Sequence, residues 1–500
     1  MARLSRLSPP AGQALPRFLA LYVALQPLLD VLTSLATQAE ISLTAGTVVR
    51  TLFVGFAFLY TVFCGPFPGR KALLSYLGLL TGYLAVFGLW SLVRGGMSAC
   101  IVNLSEALKT FYFPYTAAFL YAIYRQKRWI VPDWAVAAAG LGYAGVILLA
   151  CITGTSFYSY NAGYGYSGWF YAANDVSIVI MLTAPLVFCR LFHKLAAPRR
   201  RSVWEWIGMA AGSGALLFSA AFLGTKLVYL GTLLYLAAAC LWFALRLLLT
   251  RRAVAGRCLA AALALCALLC ALYPVSPLNH YVQDVYVPMS GEDQEAYEKS
   301  LAIPGVVDKD RAKANARLEQ AAKGTWLGDL IETQPVVKKL NWLLSRRLLI
   351  IAPSAEEYTR GGAWVTLFGL GYAQLSSYVR PVTHLIEMEG VALLLRHGLV
   401  GFLLYYVPFL AAAAALLLQF FRRLKTRVAD FSYCTLLFSA MMACATSLIA
   451  GHVLVSPSVS LMVAILYEKL IARTSAQNRA LIQGEALPGS GSSFSRRCRI

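Results

Sequence analysis

Apolar residues in this chain fall into runs of about twenty, separated by short polar connections. Twelve such runs can be read, near 18–39, 42–63, 73–93, 110–124, 134–153, 173–192, 204–223, 227–248, 258–274, 391–419, 431–450 and 454–471. About 20 residues at a rise of roughly 1.5 Å each cross a hydrocarbon core of about 30 Å. A chain inside lipid must satisfy its own backbone, so runs of this length are expected to be helices. The pattern therefore predicts an all-α polytopic membrane protein of about 12 transmembrane helices. The stretch before Pro16 is polar and basic, and the first run is too long for a signal-peptide core, so the first span is expected to stay as an anchor.

One connection is long. Residues 275–390 separate the ninth and tenth runs. They begin charged and helix-favouring, pass through the amphipathic stretch VVKKLNWLLSRRLLIIA, which suits a membrane surface, and turn apolar again over 361–390. The expected domains are helices 1–9 over 1–274, an extracytoplasmic loop over 275–390, helices 10–12 over 391–472, and a Gly/Ser-rich disordered cytoplasmic tail over 473–500.

Composition sharpens this picture. Of 500 residues 59% are hydrophobic and 13% charged, against about a quarter charged in soluble domains. That excludes an ordinary cytosolic enzyme. The net charge of +21 would suggest nucleic acid in a soluble protein. With the N-terminus placed inside and the spans alternating, 27 of the 44 basic residues but only five of the 23 acidic ones face the cytoplasm. The excess is thus a topology signal. It places both termini in the cytoplasm, suits anionic lipids, and leaves no nucleic-acid partner to expect.

Ionisable residues within or beside spans are costly and mark candidate sites. Asp30 lies mid-span and Arg50 in the outer half of the second span, where the two can pair. Lys109 opens the fourth span, and Lys226 opens the eighth after a tight LGTK turn, as a snorkelling lysine or a ligand contact. Asn174 and Asp175 begin the sixth, as helix caps or contacts. The densest cluster is SSYVRPVTHLIEMEGVALLLRHGLVG, where a helix would align Arg380, His384 and Glu387 on one face and turn Glu389 toward Arg396. A carboxylate there suits a general base. His452 lies in the outer turn IAGHVLVSPSV. Residues 157–171 hold eight aromatics, a membrane-interface belt or a platform for sugar rings. The long outer segment lacks cysteine and the chain has five histidines, so no metal is expected.

Several of these blocks carry a resemblance. LFGLGY…IEMEGVALLLRHGLVGFLLYY, the turn at Gly224–Lys226, the Asn174 segment, LKTFYFPY and AGHVLVSP together look like the O-antigen ligase and polymerase superfamily, and most like its Gram-positive O-antigen ligase-like branch. The resemblance implies a metal-independent glycosyltransferase without cofactor. Its donor would be a glycan on a lipid diphosphate, typically undecaprenyl diphosphate, and its acceptor a hydroxyl on a glycan or the cell wall. It implies outer arginines on the diphosphate and a base from the long loop. Arg50, Arg380, Lys226 and Lys109 are the candidates for the first role, since guanidinium and ammonium groups stabilise a departing diphosphate. Glu387, then His384, are the candidates for the second, with Asp30, Asn174, Glu389 and His452 in support. Many ligases carry His-Asn eleven residues before the glycine of the late span; counting back from Gly398 gives Glu387 and Met388. That departure argues against ligation onto lipid A. The rival readings are a transporter or flippase for a lipid-linked glycan, which usually shows two similar halves, and a non-enzymatic scaffold.

Overall fold

The structure is a computed structural model describing residues 11–41, 44–159, 164–197, 202–251, 253–280, 320, 322–344, 347–373, 386 and 388–482. The chain is helical almost throughout. Helices α1 (Ala11–Ala24) and α2 (Gln26–Gln38) meet at a 51° bend, with Pro27 in the first turn of α2. There follow α3 (Ala45–Phe63), α4 (Arg70–Thr110), α5 (Tyr112–Lys127) and α6 (Asp133–Ile152). A small antiparallel hairpin of β1 (Phe157–Tyr158) and β2 (Tyr166–Gly168) leads to α7 (Ala173–Ala196), α8 (Val203–Phe222), α9 (Lys226–Thr250) and α10 (Ala253–Leu272). Among the described residues of the long connection are four short helices, α11 (Trp326–Thr333), α12 (Pro335–Leu343), α13 (Arg347–Arg360) and α14 (Gly362–Phe368). The chain continues through α15 (Glu389–Arg422), α16 (Leu424–Val428), α17 (Phe431–Ile449) and α18 (Pro457–Ile482).

Each of the twelve expected runs coincides with a helix, and the protein is a multi-pass membrane protein. Among the described residues eight helices are long and apolar enough to cross a membrane, or nine when the bent α1–α2 pair counts as one span. The other three fall short for physical reasons. Helix α5 has 16 residues, and α8 is diluted by Gly208, Gly212, Ser213 and Gly214. Helix α18 carries Glu468, Lys469 and Arg473. Helices α5 and α18 pack on each other with nearly every side chain buried, and α18 also packs on α7 and α17. A helix enclosed by protein needs no lipid-compatible surface on every side. By contrast α3, α9 and α15 expose Leu52, Leu241, Leu248 and Leu410 on their outer faces.

The connection between the third and fourth runs is not a simple loop. Helix α4 continues through 97–110 after a break at Gly96, whose φ of 71° leaves the right-handed region. The helix resumes directly beyond Gly96.

The two ends of the bundle differ. At one end, side chains form tight ion pairs: Lys469 with Asp133 at 2.5 Å, and Arg473 with both oxygens of Asp430 at 2.7 and 2.8 Å. Fully buried Arg427 donates there to the Gln419 carbonyl, Thr474 and Asn478. At the other end lie the hairpin, the 223–225 turn, the 369–373 turn and the 450–456 turn.

Candidate functional site

Two half-helices create the centre of this second end. Helix α15 is broken at Gly398 (φ 63°) into 389–397 and 399–422, just as α4 is broken at Gly96. The break lets the chain cross the 367–371 segment at close range. A Cβ on Gly398 would lie 2.4 Å from the Leu367 carbonyl, and one on Gly369 would lie 2.3 Å from that of Arg396. Only glycine supplies both the positive φ and the missing side chain. Backbone bonds Leu370 N–H to Leu395 O (2.8 Å) and Gly371 N–H to Arg396 O (3.0 Å) close the crossing.

Tyr372 is held from every side at this crossing. Asn103 of the 97–110 half-helix accepts from the backbone N–H of Tyr372 (2.6 Å) and Ala373 (2.8 Å), and its amide donates to Ser91. The Tyr372 hydroxyl meets Thr110 Oγ1 at 2.5 Å and His397 Nε2 at 2.9 Å. On the other face of the imidazole, Nδ1 meets the Tyr83 hydroxyl at 3.1 Å. Tyr83 donates to the His397 carbonyl at 2.8 Å, so its hydroxyl oxygen accepts from Nδ1–H. A neutral ring then accepts at Nε2 from Tyr372, which in turn accepts from Thr110. His397 joins α4, the 369–373 turn and α15. The Arg396 guanidinium lies over the Tyr372 ring, 4.9 Å from its centroid. Burial pushes the Tyr372 phenol up to about 12, against the pull of Arg396 and the Thr110 hydrogen bond. Beside this knot, a cavity with room for about one water is lined by Ser91, Arg94, Asn103, Gly371 and Ala373.

A second polar chain crosses the same end. Arg50 donates to Asp30 at 2.5 Å and to Gln26 at 2.9 Å, and Tyr143 donates to the other Asp30 oxygen. Ser458 lies within hydrogen-bond reach of Tyr143 and 3.5 Å from Ser456, which donates to Asp175 at 2.7 Å. Asp175 pairs with His452 Nδ1 at 3.2 Å. His452 stands in the left-handed region (φ 61°) and within electrostatic range of Glu389. The Glu389 carboxylate, 2% exposed, accepts from Ser447 (2.6 Å) and from the backbone N–H of Leu454 (2.7 Å) and Val455 (3.1 Å). It points to the 450–456 turn, while Arg396 turns to Tyr372, so the expected approach of Glu389 to Arg396 does not occur. Both stand on the half-helix 389–397, but Ser447 and the 454–455 N–H groups engage Glu389 while the Tyr372 ring engages Arg396.

The remaining candidates fall as follows. Lys109 pairs with Glu106 at 2.6 Å near the surface. Lys226 starts α9 immediately after the Gly224 turn, and the Asn174 carbonyl accepts from Ser177. Arg380, His384 and Glu387 lie outside the described residues, between Ala373 and the start of α15; of the disordered tail expected over 473–500, residues 473–482 instead continue α18, with Arg473, Thr474, Gln477 and Asn478 hydrogen-bonded to Asp430 and Arg427, and the rest lies outside the described residues. The aromatic loop folds back on the polar chain: Phe170 packs on Tyr143 at 5.2 Å, and Tyr171 N–H donates to Ser34 of α2. Sequence reading missed Tyr372, His397 and Asn103. The signals were the Gly-Leu-Gly-Tyr turn and a histidine embedded in an otherwise apolar helix. Among the described residues no group of three or more His, Cys, Asp or Glu could hold a metal ion.

No curated protein and no solved structure matches the chain. A family match runs over residues 13–477, taking in every membrane helix, both half-helices and the long connection between α10 and α15. The chain belongs to the family of O-antigen ligase like membrane proteins.

Proposed function

We propose that the protein transfers or polymerises a lipid-diphosphate-linked glycan onto an acceptor hydroxyl at the outer face of a bacterial plasma membrane. The observation that carries the reading is membership of the O-antigen ligase-like family across nearly the whole chain. The sorted charge supports the orientation, with both termini cytoplasmic and the Tyr372 end outside. The donor is a lipid-linked oligosaccharide, typically on undecaprenyl diphosphate, and the acceptor a glycan or the cell wall.

Breaking the anomeric C–O bond places growing negative charge on the diphosphate, and fixed cations stabilise it most in a water-poor site. Arg380, Lys226, Lys109 and Arg50 are the proposed diphosphate contacts. Arg50 is already engaged by Asp30 and Gln26, and Lys109 by Glu106. Glu387, or else His384, is the proposed base that removes the acceptor proton as the new bond forms. The long connection between α10 and α15 has no counterpart in the first half of the chain, which disfavours a repeat-built transporter.

Gene deletion followed by analysis of cellular lipid-linked oligosaccharides tests the proposal. Accumulated single repeat units indicate a polymerase, and full-length chains retained on lipid indicate a ligase. An unchanged lipid-linked pool refutes glycan transfer. Glu387→Gln is expected to reproduce the deletion.

A further inference from the structure

The amphipathic stretch VVKKLNWLLSRRLLIIA is divided between α12 and α13, and the two helices use their apolar residues differently. In α13, Ile351 and Ala355 are buried in a small core with Val365 of α14, Leu370 and Leu395. In α12, Val337 is half-buried and Asn341 buried, on the side that packs on α11 and α13. One position round the helix, Val336 (80% exposed) and Leu340 (45%) stand four residues apart and face out together. No described residue covers them. Lys339 flanks this stripe and Lys338 lies opposite it, both exposed. The same group of helices reaches the edge of the bilayer. Helix α14 stacks Trp364 on Trp90 of α4, with ring centroids 5.7 Å apart and planes 21° from parallel. Trp90 is near the end of the third apolar run, beside the exposed Leu89 and Val93. The Arg94 guanidinium lies 5.9 Å over the Trp90 ring. A tryptophan and an arginine together at the end of a span mark the headgroup level. Helix α13 joins α12 to α14 and packs on both, so α12 is tied to that level.

We propose that α12 lies in the plane of the outer leaflet as an anchor, with its Val336–Leu340 stripe among the acyl chains and Lys339 on the lipid phosphates. The partner is the phospholipid surface of the same membrane. A short helix with an apolar stripe and a lysine at its edge suits that place, because the ammonium reaches the headgroups while its stem stays in apolar surroundings. The rest of the amphipathic stretch is excluded from lipid, since α13 spends its apolar residues inside the protein. Seating α12 sets the height of α13 and α14 above the spans, and α14 leads directly into the 369–373 turn that carries Tyr372. The inference goes beyond glycan transfer and does not depend on it; it uses only the orientation given by the sorted charge.

The test uses the full chain in nanodiscs of phosphatidylglycerol and phosphatidylcholine, with the photo-reactive residue p-benzoylphenylalanine placed at 336, at 340 or, on the opposite side of α12, at 338. All three positions are exposed, so the label displaces no packed side chain. Labels at 336 and 340 should cross-link to lipid about fivefold more than the label at 338. In phosphatidylcholine alone the yield at 340 should fall by about twofold, and Lys339→Gln should remove that difference. Equal lipid cross-linking at the three positions overturns the proposal. Cross-links from 336 and 340 to protein also overturn it: a product of twice the chain mass would mark a second copy on this face, and one of single-chain mass another segment of the same chain. A yield at 340 indifferent to headgroup charge overturns the place given to Lys339. An unchanged lipid-linked glycan pool in the deletion strain would refute glycan transfer and leave the anchor standing.

Discussion

Glu389 offers the most direct measurement of what holds the second end of the bundle together. Its carboxylate gathers the Ser447 hydroxyl and two consecutive backbone N–H groups, of Leu454 and Val455, at 2.6 to 3.1 Å. Replacing it with alanine leaves both N–H groups buried without an acceptor. Each orphaned donor costs about 1–3 kcal/mol, while the Ser447 hydroxyl can rotate elsewhere. Removing the carboxylate also ends its own desolvation penalty, which offsets part of the loss. A net destabilisation of about 3–4 kcal/mol results. Glu389→Gln retains an amide oxygen for the two N–H groups and an amide donor for Ser447, and should cost about 1–2 kcal/mol. Small domains of 150–250 residues lose about 2–4 °C of Tm per kcal/mol, so a chain of this length should lose about half that. Alanine should therefore lower Tm by about 3–8 °C and glutamine by about 1–4 °C, read by thermal unfolding of detergent-purified protein. Ser447→Ala added to Glu389→Ala should cost less than the two separately, because they share one hydrogen bond. Equal Tm values for wild type and Glu389→Ala, or strict additivity with Ser447→Ala, would refute the account of Glu389 as the clasp of the 450–456 turn.

Three further outcomes are expected. Gly398→Ala forces a Cβ against the Leu367 carbonyl and should abolish folded protein on size-exclusion chromatography, whereas Gly96→Ala meets no atom within 4 Å and should cost only the φ strain of about 1–2 kcal/mol. Asp30→Asn should destabilise by about 3–5 kcal/mol through the stranded Arg50, and Asp30→Asn with Arg50→Gln should regain most of that Tm; a double variant no better than the single one refutes the pairing. Tyr372→Phe removes the hydroxyl between Thr110 and His397 and should lower glycan-transfer rate in membranes more than it lowers Tm; unaltered activity would place Tyr372 outside the site.

The spans were legible because lipid imposes one rule on every helix it touches, and α3, α9, α10 and α15 obey it with plain apolar runs. The Arg50–Asp30 pair was legible for the same reason, since two opposite charges in adjacent spans have few other partners. Helices α5 and α18 marked the limit of that rule: enclosed by protein, the first is too short and the second too charged to match their lipid-facing neighbours. The Tyr372 knot lay beyond it. His397 meets Tyr83 across 314 residues and Tyr372 meets Thr110 across 262, and no local pattern encodes such distances.

The embrace of α5 by α18 has a consequence for biogenesis. Helix α5 leaves the ribosome more than three hundred residues before α18, and neither is suited to lipid alone, α5 for its 16 residues and α18 for its charges. Until α18 arrives, α5 must be sheltered by α3 and α4, which also pack on it, or by an insertase, with its Thr116 and Tyr124 hydroxyls unsealed. Assembly of the bundle is thus a late and collective event. Truncation before residue 457 should send the whole chain to membrane quality control and release no partly active fragment.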